Sequence, residues 1–453
     1  MALELTVRRK KKKCDQLKPS CSRCTRLQID CVGSGRQRYV FKEDHRSWNS
    51  SSYRQSHNTS SSSLGFQDEH RLQRLSRAPS NETTLLVNAL IAKLKASDDL
   101  RYHLSWTYGG FIEDIPRRIG TNQALDAAVA ALVTAHSHLG SQQGNFATCQ
   151  SLVKYSHALK TLRACLDDPI TARKAETLCA VMVLMICQSF IGTYAGRWTG
   201  HCEGAAQMLK ARGYYDTQDD FERILLLSLR GPVLFEALFN DRIRFSRKEW
   251  SILVENKLDG STCEGRMMRC LARVPDLMQR GRIALRTKSS VQMLIAEARH
   301  LYHIMKAILV ELNDRLNAVQ EPSNDGCPQA AARSMRLHAH YQRTYGLALT
   351  ICMYFNCILN ALDPSDTVLE MESTHFCRDS LKLADQASRY RPLGASFVIL
   401  CLVGAWCGSR DEATRGTVES TLVDYGMDYP GAYTGTLKVE LEYTSHRLRL
   451  LEI

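Results

Sequence analysis

Residues 171–191 are apolar on nearly every face that a helix could present. A helix of that kind cannot lie on a surface, because it needs other elements packed around it. The neighbouring sequence supplies candidates at helical spacing. Pro116, Gly120 and the cap candidate Thr121 precede a helix with Leu125, Val129, Leu132, Val133 and His136 on one face. A second places Leu152, Tyr155, Leu159, Leu162 and Leu166 together and stops at Pro169. Another, over 197–212, ends at Gly213, a residue suited to a left-handed C-terminal cap. Shorter helices are expected over 219–230 and 233–241, and a long one over 338–362. No run of alternating β-branched residues competes with this pattern, so the expected fold is all-α.

The stretch 291–316 admits two readings. Val291, Ala298, Met305 and Leu312 recur every seven residues with Leu294, Leu301 and Ile308 between them, which a coiled-coil dimer could use. Ile295, Tyr302 and Leu309 add a third apolar row. A stripe that wide fits a helix packed into a globular core, and that is the expectation here.

At 453 residues with 44% apolar and 23% charged side chains, the chain has the composition of a soluble globular protein of more than one domain. Its longest apolar run, 178–187, is about half the roughly 20 residues of a membrane span, and no membrane association is expected. No leader of charged and then apolar residues opens the sequence, so a reducing compartment and free thiols are expected. Thirteen of the 17 cysteines are scattered, many in apolar helical runs, as at Cys179, Cys187, Cys352, Cys357 and Cys401. Such cysteines behave as small hydrophobes.

Charge is concentrated in the first tenth of the chain. Residues 1–46 carry 13 Lys and Arg against 5 Asp and Glu, in a chain whose formal net charge is +12. That asymmetry points to a polyanion partner. Residues 8–13 are six consecutive cations, followed at once by Cys14 and then by Cys21, Cys24 and Cys31. Clustered thiolates at such spacings suit zinc, and four can close a tetrahedral site around one ion. A cationic helix in the major groove can reach phosphates on both sides and one base edge. A nuclear localisation signal is the blander reading of the basic run, and the two uses can coexist.

The order basic run, Cys14, Asp15, Pro19, Cys21, Cys24, Cys31 resembles the six-cysteine binuclear zinc cluster of fungal transcription factors. The resemblance implies that Arg8, Lys10, Lys11 and Lys13 match the family's basic pattern, and that Cys14, Cys21, Cys24 and Cys31 take its third to sixth cysteine places. It further implies that Lys11 is the base-contacting candidate while Arg8, Lys10 and Lys13 lie nearer the backbone. Lys18 and Arg26 complete the candidate DNA-binding set. The family's first two cysteines would fall at Glu4 and Val7, neither of which supplies a thiolate. In the family, the first and fourth cysteines bridge both metals, so the two-metal cluster cannot form from these residues as written. Because the basic run is intact up to Val7 and the break is abrupt, a mis-assigned N-terminus is expected rather than a decayed cluster.

Residues 44–84 are rich in serine and asparagine and nearly devoid of aliphatic side chains, and read as a flexible linker. The only coiled-coil candidate there, 66–75, is too short for a dimerising zipper. Further on, Tyr155, Ala158-Leu159, Glu176-Thr177-Leu178, Trp198, His201, Gly204-Ala205 and Arg212-Gly213 resemble the fungal-specific transcription factor domain. Pro392-Leu393-Gly394 and the apolar run to Ala405-Trp406 resemble its C-terminal part. The expected organisation is a zinc-cluster module over 1–43, a linker over 44–84 and an all-helical regulatory domain over 85–453.

What the resemblance implies is a nuclear, zinc-dependent, sequence-specific DNA-binding regulator of genes read by RNA polymerase II. The implied partners are double-stranded DNA with CGG-containing sites, the transcription machinery and, as a candidate, a second copy of the chain in a homodimer. The alternative is a decayed member that acts through protein partners of the helical domain. No enzyme is expected. Asp98-Asp99, Asp219-Asp220 and Asn240-Asp241 lack the companion ligands of a magnesium site and read as helix N-terminal acids. The histidine pairs 136/138, 300/303 and 338/340 read as core or surface residues, and His201 and Trp198 as packing groups.

Overall fold

Residues 22–26, 81–95, 99–139, 144–191, 199–212, 218–255, 258–319, 328–429 and 436–451 are described by the structure, a computed structural model. Every regular element among them is helical, as the sequence pattern requires. The chain divides into two units, Met1–Leu75 and Ser76–Ile453. In the first, one short helix is described, α1 (Ser22–Arg26).

The second unit opens with α2 (Glu82–Lys95), which begins three residues before Leu85. Asn81 sets that start, because its Oδ1 accepts the Thr84 amide at 2.7 Å and so satisfies one of the free N–H groups of the first turn. Then come α3 (Gln123–Ser137), α4 (Gly144–Asp167) and α5 (Ala175–Ile191). The cap of α3 is Asn122 rather than Thr121: its Oδ1 accepts from the amides of Ala124 and Leu125, while the Thr121 hydroxyl donates back to the Arg118 carbonyl. From Thr177 to Cys187 every residue of α5 is buried, enclosed by α3, α4, α6 (Thr199–Arg212) and α7 (Asp220–Phe239). The helix that is apolar all round is thus the centre of this half.

Two further expectations change. On α4 the buried line runs through Ser151, Tyr155, Ala158 and Leu162, whereas Leu152 and Leu166 are exposed. Spacings of four, three and four keep that line on one side of a 3.6-residue helix, and the two leucines fall beside it. The separate helices expected over 219–230 and 233–241 are one helix, α7, with Pro232 inside it. A proline there removes one backbone hydrogen bond and costs about 3 kcal/mol. Leu225, Leu229, Val233, Leu234 and Leu238 continue one buried stripe across it, and tertiary burial outweighs the local defect.

The other half follows from α8 (Arg247–Glu255), α9 (Cys263–Leu271) and α10 (Val274–Arg286) into α11 (Gln292–Ala318) and α12 (Pro328–Leu362). The remaining helices are α13 (Thr367–Ala387), α14 (Phe397–Gly408), α15 (Glu412–Gly426) and α16 (Leu437–Leu448). On α11, Leu294, Ala298, Tyr302, Met305, Ile308, Leu309 and Leu312 are all buried and the helix packs on α12. The wide stripe therefore serves the core. In α12 every residue from Ala348 to Leu359 is buried. Gly346 lets α12, α13 and α14 approach closely, since a Cβ there would lie 2.8 Å from a Phe397 ring carbon and 2.9 Å from Cys401 Sγ and Leu383 Cδ2.

Residues Ala330–Leu362 are long and apolar enough to cross a membrane, unlike the ten-residue run 178–187 that stands out in the sequence. Within the domain 83% of its most apolar window is buried, so packing against α11, α13 and α14 accounts for that apolarity. Cys179, Cys187, Cys352, Cys357 and Cys401 are buried and free. Burial pushes the Cys357 thiol up to about 11 and that of Cys401 to about 12, which keeps both protonated and inert.

One half-buried acid gives the fold a pH dependence. Burial pushes the Glu236 carboxyl on α7 from an ordinary 4.5 up to about 7, opposed by a hydrogen bond from Asn240 and reinforced by the charge of Glu203. Its folded value lies above its unfolded one, so its contribution is fully present below pH 4.5 and is lost as pH rises through 7. Glu236→Gln is therefore expected to stabilise the protein at pH 8 by about 1 to 3 kcal/mol and to change little at pH 4. Denaturant unfolding at the two pH values checks this.

Candidate nucleic-acid interface

The helix α1 carries Ser22, Thr25 and Arg26 on exposed positions and has no acid in its first turn. Arg26 is thus a solvent-facing cation, available to a phosphate. Cys24 belongs to the same helix by backbone. Of the other predicted residues, Cys14, Cys21 and Cys31 and the cations Arg8, Lys10, Lys11, Lys13 and Lys18 lie outside the described residues, as does the side chain of Cys24.

The donor chemistry can be tested against the metal. Residues 1–31 contain four cysteines, and four thiolates satisfy one tetrahedral zinc ion. With Glu4 and Val7 at the places of two further thiolates, these residues do not complete a two-metal, six-thiolate cluster. The set fits one zinc. Among the described residues no group of three or more His, Cys, Asp or Glu side chains is arranged to hold a metal ion.

In the helical domain, the residues that carried the family resemblance act as ties between helices. The Tyr155 hydroxyl on α4 and His201 Nε2 on α6 lie 2.6 Å apart, and burial pushes the His201 imidazole down to about 4. That ring is neutral at neutral pH and ties α4 to α6 through the tyrosine hydroxyl. Asn122 donates to the buried Thr177 hydroxyl at 2.9 Å, joining α3 to α5. Arg118 bridges Glu176 and Asp219, each at 2.9 Å. Arg212 pairs with Glu222 and donates to the carbonyls of Arg173, at 2.8 Å, and Lys174. Trp198 and Gly213 lie outside the described residues.

Of the acid pairs, Asp99 and Asp219 accept backbone amides at helix starts as expected and Asp98 lies outside the described residues, whereas Asn240-Asp241 follow the C-terminal end of α7 and do not open a helix. Asn240 donates to Glu203 at 2.9 Å, and Asp241 accepts from both Nη atoms of Arg447 at 2.7 and 2.8 Å. Arg447 lies 206 positions away, so nothing local in the sequence could have revealed its pairing with Asp241. His136 is buried with its Nε2 on the Tyr102 carbonyl, and His340 lies 3.0 Å from Glu264.

The family model of the fungal-specific transcription factor domain matches residues 107–443, and that of the fungal Zn(2)-Cys(6) binuclear cluster domain matches residues 8–39. No curated protein and no solved structure matches the chain. A zinc-cluster head and this helical domain together define a fungal transcription regulator, and neither family is an enzyme family. The chain belongs to the fungal-specific transcription factor family. Its zinc-cluster match implies zinc binding and DNA binding.

Proposed function

We propose that the protein is a nuclear, sequence-specific DNA-binding regulator of genes transcribed by RNA polymerase II, with CGG-containing duplexes as its sites. The reading rests on one observation: a zinc-cluster match over residues 8–39 that begins on six consecutive cations, in the same chain as the helical regulatory domain. In this account residues 1–43 form the DNA-reading module, 44–84 the tether and 85–453 the regulatory domain that meets the transcription machinery. Cys14, Cys21, Cys24 and Cys31 hold zinc, which when bound fixes the short module's fold. Lys11 reads a base edge. Arg8, Lys10, Lys13, Lys18 and Arg26 engage phosphates, supplying affinity and register without sequence reading.

The roles separate by substitution. Lys11→Ala is expected to lose about 1 to 3 kcal/mol of discrimination for its base pair, whereas Arg8→Ala weakens binding to every duplex alike and lowers the salt slope by about 1. Binding isotherms on site and scrambled duplexes at several salt concentrations measure both effects. If both variants bound all duplexes as the parent does, the assignment would be wrong.

Glu4 and Val7 favour a second reading, a member that has lost cluster-based DNA binding and acts through protein partners. Metal content separates the two: full-length protein that holds no zinc and shows no duplex preference supports the second.

A further inference from the structure

A cleft of about 650 Å³ opens where the C-terminal end of α7, the following loop, α10 and α16 meet. Its volume lies within the roughly 300 to 1,000 Å³ of small-molecule sites. Four guanidinium groups line it, from Arg244, Arg282, Arg286 and Arg447, against two carboxylates, Asp241 and Asp276. Neither carboxylate has its charge to spare. Asp276 is paired with Arg280 at 2.9 Å, and Asp241 accepts from Arg447 and Arg282 together.

Arg447 has its side chain 9% exposed and is clasped to Asp241 by two hydrogen bonds, so it is a fixed part of the wall. Arg282 is held less firmly. Its Nη2 lies 3.3 Å from the already shared Asp241, and its Nη1, shielded from solvent, has no acceptor. Burial, and then the adjacent Arg447 charge, push the Arg282 guanidinium down from its ordinary value. Arg282 is thus short of an acceptor. Beside it stand flat apolar groups: the rings of Phe245 and Trp250 are 4.6 Å apart, with Trp250 buried and Lys210 over the Phe245 ring. Lys210 is itself paired with Glu249 at 3.2 Å. Cations that bind a duplex track its backbone across an open face, whereas these converge in one concavity.

We propose that this cleft binds a small organic oxyanion, a carboxylate or phosphate ester on a flat apolar body, with its charged end at the Arg282–Arg447 cluster and its body against Phe245 and Trp250. The site belongs to the regulatory domain alone and goes beyond the DNA-binding reading. The Arg282 guanidinium, 20% exposed and held only at 3.3 Å by a shared carboxylate, gains a charge-assisted hydrogen bond from such a ligand, and the aromatic wall takes the apolar body out of water. Ligand charge and ligand shape are then both selected.

Titration calorimetry of the full-length protein tests this with four probes: 2-naphthoate, 2-naphthyl phosphate, the neutral 2-naphthamide and inorganic phosphate. At least one aromatic anion is expected to saturate a single site, and comparison of the first two tells carboxylate from phosphate. The amide and inorganic phosphate should each bind at least about tenfold more weakly. Arg282→Gln should weaken the aromatic anion about tenfold and leave the amide unchanged. Ile283, 45% exposed on the cleft wall, offers a second variant that spares the core: Ile283→Asp should repel the anion to a similar extent. The proposal is overturned if neither aromatic anion saturates, if acid and amide bind alike, if inorganic phosphate binds as tightly as the aromatic anions, or if both variants bind the anion as the parent does.

Discussion

Replacing Cys24 by serine is expected to lower affinity for a CGG-containing duplex about 10³-fold, down to the level of non-specific binding. A module of about 40 residues is too small to build a sufficient hydrophobic core, so a metal must supply its folding free energy. In the proposed site of four thiolates and one tetrahedral ion, removing any ligand opens the coordination shell. The six cations of residues 8–13 survive the substitution, so a weak, strongly salt-dependent attraction to any duplex should remain. Fluorescence anisotropy on site and scrambled duplexes, with the exposed Cys149→Ser as the control thiol, distinguishes loss of recognition from general damage. A Cys24→Ser protein that kept the parent's preference would remove the zinc module from the account.

The second large effect concerns the helical domain. Tyr354 on α12 is fully buried, with its ring edge-on to Phe235 and Phe239 at centroid distances of 6.4 and 5.9 Å. Tyr354→Ala is expected to destabilise the domain by about 4 kcal/mol, through lost burial and a cavity that the two remaining aromatic rings, Phe235 and Phe239, cannot close. Its hydroxyl has no hydrogen-bond partner, and burial raises its titration far above the ordinary range, so it sits as a neutral, unsatisfied group. Tyr354→Phe is accordingly expected to be neutral, or to stabilise by up to about 1 kcal/mol. Chemical unfolding of the pair separates the ring from its hydroxyl. A loss below about 1 kcal/mol for the alanine variant would be incompatible with a centre built on α12.

These two sites also mark what the sequence discloses and what it hides. The helical class, the central position of Ala175–Ile191 and the core role of Gln292–Ala318 are legible because burial leaves a periodic trace in the residues themselves. Helix boundaries are less so. Asn122 takes the cap because its amide oxygen reaches two backbone N–H groups, a choice invisible from the neighbouring Thr121. Pro232 reads as a break, yet Leu229 and Val233 on either side are fixed by distant helices whose packing outweighs the local penalty. The cleft at Arg282 and Arg447 left no trace, since its walls come from segments more than 150 positions apart and its chemistry exists only once they meet. The proposed zinc and DNA contacts are the reverse case: they are argued from thiolate spacing and cation density, which are properties of a short stretch, and all but Arg26 and the Cys24 backbone lie outside the described residues.

The central claim, a zinc-held head that reads DNA sequence, is tested most directly by one binding experiment on the full-length protein. Its affinity is measured for a CGG-containing duplex and for a scrambled duplex of equal length, over about 50 to 200 mM salt. The expected result is a preference of at least about 10³-fold for the CGG duplex, with affinity for both falling steeply as salt rises. Equal affinity for the two duplexes at every salt concentration would contradict it.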